Sequence, residues 1–367
     1  MAPTPTQIRA MRLAAQRIGV AGGTPLDVVT HMTALQGQDL GQCLWAIGSR
    51  ALGVTRGDVR AAFARAELVR SWPMRGTLHV LRPDDLRMLL SLTAERTLRS
   101  TARRADQLGL DPDTVDRARR VTVDALHGGR SLDRDGVLTR YRQAGIDPAG
   151  GRGATLLFRL AHEGLVAWGP MSPNRPTSPS GQELVLLDEW APAADTLPDR
   201  DDALGRMLVG YLRGRGPATE ADAASWSKLP LGDLRRARAV AGDEVEDLGD
   251  GLLALADRPV VDAVPMTHLL PGFDEYLLGY ADRTGHLDPV HADRVVPGGN
   301  GIFLPMVVHR GQVVGTWSRS ERTQDVRVTV TPFASLTAGA ERAVVRAASR
   351  YGRFLGLPAV TTVEPAA

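Results

Sequence analysis

The sequence predicts an α+β fold, mainly helical, made of three tandem winged-helix units followed by a C-terminal β-hairpin layer and a closing helix. Two observations predict it. Three times along the chain, amphipathic helical segments are followed by a pair of short apolar strands. The last third differs, because dense apolar and charged residues precede strand-like runs and one long amphipathic helix. With 367 residues and 43% apolar content, the chain is long enough for several packed domains.

The first unit, residues 1–105, starts with helices whose apolar residues recur every three or four positions. Thr24 precedes Pro25 and is a predicted N-cap. A wing follows, in which two strands are joined by Pro73-Met74-Arg75-Gly76. The predicted helices are 5–18, 25–33, 40–51, 56–64 and the long basic 84–104, and the predicted strands are 68–72 and 77–81.

The same order recurs in the second unit, residues 106–198, and in the third, residues 199–260. Residues 261–367 form the hairpin layer and the closing helix. In the second unit, Asp111 is a predicted cap and Ser131 opens a helix. The predicted elements are helices 112–126, 131 onward, 152–163, 199–214, 217–226, 231–241 and 338–355, and strands 164–168, 182–187, 245–248, 252–255, 302–308, 312–317 and 326–330.

Composition excludes several kinds of site. Cys43 is the only cysteine and lies in an apolar run, so an internal disulfide and a multi-cysteine metal site are excluded and a core position is favoured. The histidines lack metal-ligand spacing, so no metal and no cofactor are predicted. Of 44 basic residues, all but Lys228 are arginines, and they cluster, as at 96–104. Such patches suit a nucleic-acid face or a salt-bridged surface.

The stretch Leu35-Gln36-Gly37-Gln38-Asp39 lies where one predicted helix ends and the next begins. Amides carry donors and acceptors without a charge to desolvate. A glycine between them permits close approach of the backbone to a ligand. Such a pair can hold a water and contact a polar substrate without titrating. Taken alone, the stretch is equally compatible with two solvated loop residues.

Four segments occur in a set order: 35–39, 72–79, 270–283, and 299–301 followed by 315–317. Together they resemble the AlkZ-like winged-helix DNA glycosylases over nearly the whole chain. The resemblance implies winged helices around a concave DNA-binding channel, removal of alkylated bases, and in some members unhooking of interstrand crosslinks made by bacterial genotoxins. It implies Gln36 and Gln38 as catalytic residues. Gly37 departs from the usual apolar middle residue, whereas a second Gln instead of Asp resembles the crosslink-resistance branch.

The chemistry of an alkylated base fits neutral amides. Hydrolysis of an ordinary N-glycosidic bond calls for a carboxylate. N7-alkylguanine is already cationic, so what remains is to place a water and stabilise a cationic sugar. Asp39 is a rival catalytic group, but an N-cap for the helix from Leu40 is the favoured interpretation. With one lysine, outside the motif, we expect the sugar–phosphate backbone to stay intact.

Candidate DNA-binding residues lie on predicted wings and turns: Arg75, His79, Arg175, His309 and Arg310. Arginine binds phosphate bidentately, and narrow minor grooves attract Arg and His. For Arg175 an exposed loop, and for 309–311 a solvated turn, are the alternatives. A further set, Asp274, Asp282 and Arg283, is predicted to form a buried ion-pair network without a catalytic role.

The predicted function is that of a monofunctional DNA glycosylase acting on N7-alkylguanine, including bulky adducts or interstrand crosslinks, as self-resistance to a DNA-alkylating natural product. Alternatives are general alkylpurine repair and a non-enzymatic winged-helix DNA-binding regulator. The expected partner is double-stranded DNA carrying alkylated purines or crosslinks, and we expect a monomer. Without a secretion signal or an apolar segment of about 20 residues, a cytoplasmic, nucleoid-associated protein that binds no membrane is predicted.

Overall fold

The computed structural model describes residues 2–20, 22–172, 181–194, 196–258 and 267–366. The described helices are α1 (Pro5–Ala15), α2 (Pro25–Met32), α3 (Leu40–Gly48), α4 (Arg56–Ala64), α5 (Pro83–Gln107), α6 (Pro112–Leu126), α7 (Arg134–Gln143), α8 (Arg152–His162), α9 (Leu187–Trp190), α10 (Arg200–Arg215), α11 (Glu220–Ser227), α12 (Leu231–Ala241), α13 (Glu275–Leu278), α14 (Ala292–Val295) and α15 (Ala338–Leu355). The described strands are β1 (Ala34–Gln36), β2 (Val69–Met74), β3 (Thr77–Leu81), β4 (Leu132–Asp133), β5 (Val166–Met171), β6 (Gln182–Leu186), β7 (Val245–Asp247), β8 (Leu253–Leu255), β9 (Thr267–Leu270), β10 (Met306–His309), β11 (Gln312–Glu321), β12 (Val326–Pro332) and β13 (Ala359–Val363).

The chain is α+β with helices predominating, as predicted, and it forms two compact units. Unit 1 comprises residues 1–59, 204–226 and 230–367, and unit 2 comprises residues 60–203 and 227–229. The four-part division made from the sequence therefore stays a prediction. None of the described helices combines the length and apolarity that crossing a bilayer requires.

Local signals placed most helix starts correctly. Thr24 caps α2 in a reciprocal box, accepting from the Asp27 N–H while the Asp27 carboxylate accepts from the Thr24 N–H. The predicted helix start at Ser131 is wrong. Leu132–Asp133 is a short strand, and the Asp133 carboxylate caps α7 by accepting from the Gly136 N–H at 2.8 Å.

In unit 2 the strands follow the order β3-β2-β5-β6-β4, all antiparallel. Arg70 pairs with Trp168, so the two predicted ribbons share one sheet instead of standing apart. Helices α6 and α8 bury their apolar faces in a core that includes Val115, Tyr141 and Leu157. This burial fixes the helices that carry the arginine-rich segments of unit 2.

A five-stranded sheet in unit 1 has the order β13-β12-β11-β10-β9, and in this sheet only β12 and β13 are parallel. Helix α15 packs Tyr351 and Phe354 against Trp45 of α3, with ring centroids 5.0 and 5.1 Å apart. Gly48 makes this approach possible, because a Cβ there would lie 2.4 Å from the Phe354 ring. The position of α3, which follows the Gln36–Gln38 stretch, is thereby set by aromatic packing.

Candidate active site

The stretch Gln36-Gly37-Gln38, hereafter the amide motif, spans the end of β1 and the turn before α3 in unit 1. Gln36 is buried, with 7% of its surface exposed, whereas Gln38 is exposed. The two amides therefore differ in environment although they are two residues apart. The buried amide can bind polar groups of the protein interior, and the exposed amide can bind a polar group that arrives from solvent.

Asp39 has a structural task. Its Oδ1 accepts a hydrogen bond from the Gln42 N–H at 2.9 Å, and it is the N-cap of α3. The predicted capping role is confirmed. The Asp39 carboxylate is therefore directed toward the helix backbone. The amide motif beside it has only neutral side chains.

Glu275 binds the backbone of the amide motif. Its Oε1 accepts from the Gln36 N–H at 2.9 Å. Its Oε2 accepts from Arg215 Nε at 3.0 Å and Nη2 at 2.8 Å, and from the Trp226 indole N–H at 3.1 Å. Glu275 is 1% exposed and Arg215 0%. A buried carboxylate is tolerated only when it is paired and hydrogen-bonded, and these four donors meet that need.

The same arginine also fixes the chain that enters the motif. Arg215 donates to the carbonyl oxygens of Met32 and Ala34 at 3.0 and 2.6 Å. Arg213, two residues earlier on α10, donates to those of His31 and Thr30. The Thr30, His31 and Met32 carbonyls lie in the last turn of α2, where no further helical turn can bind them, and the Ala34 carbonyl lies at the start of β1. Helix α10 thus replaces the missing turn and positions β1.

Two glycines of α10 permit this close contact. A Cβ at Gly210 would lie 2.4 Å from Thr33 Oγ1, and one at Gly214 would lie 3.1 Å from Met32 Cα. Thr33 has φ of 63°, which is uncommon for a β-branched residue. The strained residue turns the chain from α2 into β1, and the packed helix keeps it in that conformation.

A second buried ion pair lies beside the first. Arg50 donates from both Nη atoms to Asp274, at 2.9 and 2.8 Å, and both side chains are 0% exposed. Asp274 therefore is in a buried ion pair as predicted, but the predicted network that joins it to Asp282 and Arg283 is wrong. Asp282 accepts from Thr284, while Arg283 donates to the Leu277 carbonyl and lies over the Phe303 ring. The partner of Asp274 lies 224 positions away, where no local pattern indicates it.

A cleft of about 520 Å³ in unit 1 is lined by Gln42, the fourth residue after Gln38. The Gln42 Oε1 accepts from the Gly272 N–H at 3.0 Å, which leaves its amide N–H groups as donors for a ligand. Arg319 and Trp317 line the same cleft. Gln42 was missed from the sequence because a glutamine inside a helix usually indicates only a solvated surface.

The other predicted site residues fall into three groups. In unit 2, Arg75 Nη2 lies 2.9 Å from His79 Nε2, and His79 is buried with its Nδ1 2.9 Å from the Thr77 carbonyl oxygen. His79 thus orients Arg75 and does not itself reach the surface. In unit 1, His309 is half-buried and hydrogen-bonded to Thr267, whereas Arg310 is exposed on the tight turn between β10 and β11. Arg175 lies outside the described residues.

Comparison with known proteins decides the family. The family model described as DNA glycosylase AlkZ-like matches residues 29–354. The chain belongs to the AlkZ-like DNA glycosylase family. It is 29% identical over 351 residues to an interstrand DNA cross-link repair glycosylase of Streptomyces sahachiroi, covering 90% of this chain and 91% of that protein. The structure of the S. sahachiroi DNA glycosylase AlkZ matches with a TM-score of 0.80 and 26% identity, covering 99% of this chain and all of that one.

The predicted resemblance and the predicted enzyme class are thereby confirmed. As an AlkZ-like enzyme the protein is a DNA N-glycosylase, which hydrolyses the bond between a base and its deoxyribose. The alternative of a non-enzymatic regulator loses its support.

Proposed function

We propose that this AlkZ-like enzyme is a monofunctional glycosylase that releases N7-alkylguanine, including bulky adducts and interstrand crosslinks. The name of the S. sahachiroi relative, a cross-link repair glycosylase, supports the crosslink substrate. The second glutamine of the amide motif, in place of an aspartate, also favours this branch of the family. Double-stranded DNA is then the partner, bound by a monomer in the nucleoid.

The observation that carries the proposal is the engagement of the carboxylates around the motif. Asp39 caps α3, Glu275 is paired with Arg215, and Asp274 is paired with Arg50. The side chains of the motif itself are two neutral amides. They suit a leaving group that already carries a positive charge, because an N7-alkylguanine departs without being protonated. They suit an ordinary purine poorly, since that bond needs acid–base assistance.

Within this proposal, Gln36 and Gln38 hold a water beneath the sugar and place their carbonyl dipoles against the developing oxocarbenium charge. Gln36 is well placed for orientation because Glu275 fixes its backbone. Gln38 is well placed for substrate contact because it is exposed. The two amides thus divide positioning and contact between them.

For DNA binding, we propose three winged-helix units around a concave channel. The recurring order of helices and ribbons supports it, namely α3-α4-β2-β3, α7-α8-β5-β6 and α11-α12-β7-β8. Arg75 and Arg310 are the proposed phosphate or groove contacts, His79 orients Arg75, and His309 anchors the turn that carries Arg310. Arg175 keeps its proposed role as a phosphate contact.

The test uses two duplexes, one with a single N7-methylguanine and one with a nitrogen-mustard crosslink. Base release is measured under single-turnover conditions as alkali-revealed cleavage. We expect release from both by the wild type, no cleavage without alkali, and a rate at least about a hundredfold lower for Gln36→Ala and for Gln38→Ala, as for loss of a positioned catalytic group. Gln143→Ala, on the exposed end of α7, is the matched control.

Each outcome decides something. Undiminished release by Gln38→Ala with intact folding would remove Gln38 from the site. Release of methylguanine alone would favour general alkylpurine repair. Self-resistance is tested separately, by expressing wild type and Gln38→Ala in a bacterium sensitive to a bifunctional alkylating agent. Equal survival of both strains would contradict the proposed biological role.

A further inference from the structure

A cleft in unit 2 is lined by residues that are not part of the amide motif. It has a volume of about 330 Å³ and is lined by α5, by the Arg75-Gly76 turn, by Phe158 of α8 and by Ser227-Lys228-Leu229. We call it the basic cleft. Three cations from three elements line it, namely Arg75, Arg96 and Lys228, and none of its lining residues is acidic. Such a concentration of one sign of charge attracts anions.

Lys228 has an unusual backbone. It has φ of 60°, in the left-handed region that a residue with a side chain adopts at a cost. Its two neighbours are buried, and Ser227 Oγ accepts from the Leu229 N–H at 3.2 Å, which closes a tight turn. The turn presents the exposed Lys228 side chain to the cleft. Lys228 is the one lysine in the sequence. Its ammonium group is a compact donor that acts as a point charge toward phosphate.

Hydroxyl groups in the cleft are engaged elsewhere. Thr97, Ser100 and Thr101 donate to carbonyl oxygens of α5 itself. With these donors used, recognition of an anion falls to the cations. Arg75 is held in place by its contact with the buried His79 ring at 2.9 Å.

The cations continue along α5 beyond the cleft. Arg103 is seven residues after Arg96, about two turns, so both lie on the same face about 10 Å apart. Among the described residues, no carboxylate forms a salt bridge with Arg96, Arg103, Arg104 or Lys228, whereas Arg99 is paired with Glu95 at 2.7 Å. Cations repeated along a helix are suited to the phosphates repeated along a DNA strand. About 10 Å of duplex, the spacing of Arg96 and Arg103, carries about six phosphates.

We propose that the basic cleft binds a phosphodiester of the DNA backbone through Lys228 and Arg96, with Arg75 beside them, and that the strand continues along α5 past Arg103. The proposal rests on DNA being the substrate and adds a binding site whose residues are different from those of the amide motif. Contacts to phosphate carry no sequence information. Their role is to fix the position of the duplex on unit 2.

The experiment measures the affinity of the full-length protein for a lesion-free duplex by fluorescence anisotropy over a range of NaCl concentrations. We expect Lys228→Met and Arg96→Met each to weaken binding about three- to tenfold at 0.1 M salt. Each should lower the slope of log K against log salt by about 0.9, the value for one lost phosphate contact. Arg99→Met removes the same charge from the same helix outside the cleft and should leave the slope unchanged.

Equal slopes for wild type, Lys228→Met and Arg96→Met, with folding confirmed by circular dichroism, would overturn the proposal. A second arm measures thermal stabilisation by inorganic phosphate and by a nucleoside monophosphate. Stabilisation that Lys228→Met abolishes without any change in DNA binding would assign the cleft to a small phosphate ligand instead. Because the duplex carries no lesion, the result is independent of base release, so failure of the proposed catalysis and failure of this site are distinguishable.

Discussion

Around the amide motif, charged side chains point into unit 1, whereas in the basic cleft of unit 2 they point toward solvent. Arg215 and Glu275 are almost fully buried, and their charges hold backbone groups in place. Arg96 and Lys228 are exposed, and no described carboxylate neutralises them. The difference teaches that inward charge sets geometry and is linked to folding, while outward charge sets affinity and is screened by salt.

The largest expected effect comes from breaking the inward pair. Arg215→Met leaves Glu275 buried without its counter-ion and removes the donors to the Met32 and Ala34 carbonyls. We expect the free energy of unfolding to fall by about 3–5 kcal/mol, measured by urea denaturation. Base release should fall as well, because Gln36 loses its fixed position. A change below about 1 kcal/mol would contradict the view that this pair determines the geometry.

A second test uses the pH dependence of stability, through the buried His268 of unit 1. Burial, then Arg350 and Arg50, lowers the pKa of His268 to about 3, so the folded protein keeps this ring neutral while the unfolded chain protonates it near pH 6.5. The contribution of the neutral His268 ring to the free energy of unfolding is therefore complete above pH 6.5. It is lost as the pH falls toward 3, by about 1.4 kcal/mol per pH unit. Denaturant midpoints of wild type and His268→Gln between pH 7.5 and 4.5 test this. Parallel pH profiles would count against His268.

A smaller effect is expected where α10 meets the chain that leads into the motif. Gly210→Ala places a methyl group 2.4 Å from Thr33 Oγ1, so one of the two must move. We expect a loss of about 1–3 kcal/mol and slower base release. Gly232→Ala, in helix α12 with open space around the added carbon, is the matched control: it should raise the free energy of unfolding by up to about 1 kcal/mol through helix propensity and leave base release unchanged.

The smallest effect on folding is expected in the basic cleft. Arg96→Met should change the free energy of unfolding by less than about 0.5 kcal/mol, because an exposed arginine without a carboxylate partner contributes little to stability. The same variant weakens DNA binding under the proposal above. Thermal and urea denaturation measure the first quantity. A loss as large as that of Arg215→Met would show that the outward charge is also structural.

Elements that depend on neighbouring residues could be predicted from the sequence, whereas the supports of the site could not. Helix α15 spans residues 338–355 as predicted from the sequence, and Asp39 caps α3 as expected. Glu275 gave no local signal, because its meaning depends on Arg215 and Gln36, the latter 239 positions away. His79 matched the resemblance in sequence, yet burial turned it from a contact into a support for Arg75.

Unit 1 is assembled from separated parts of the chain, and this has a consequence for the order of events during synthesis. The amide motif leaves the ribosome early, but Glu275 follows 239 residues later. At roughly 5–20 residues per second, that interval is about 12–48 seconds. Nearly all of unit 2, residues 60–203, is synthesised within it and can fold first. The geometry of the amide motif is therefore completed late, after the residues of unit 2 between the two parts have been synthesised.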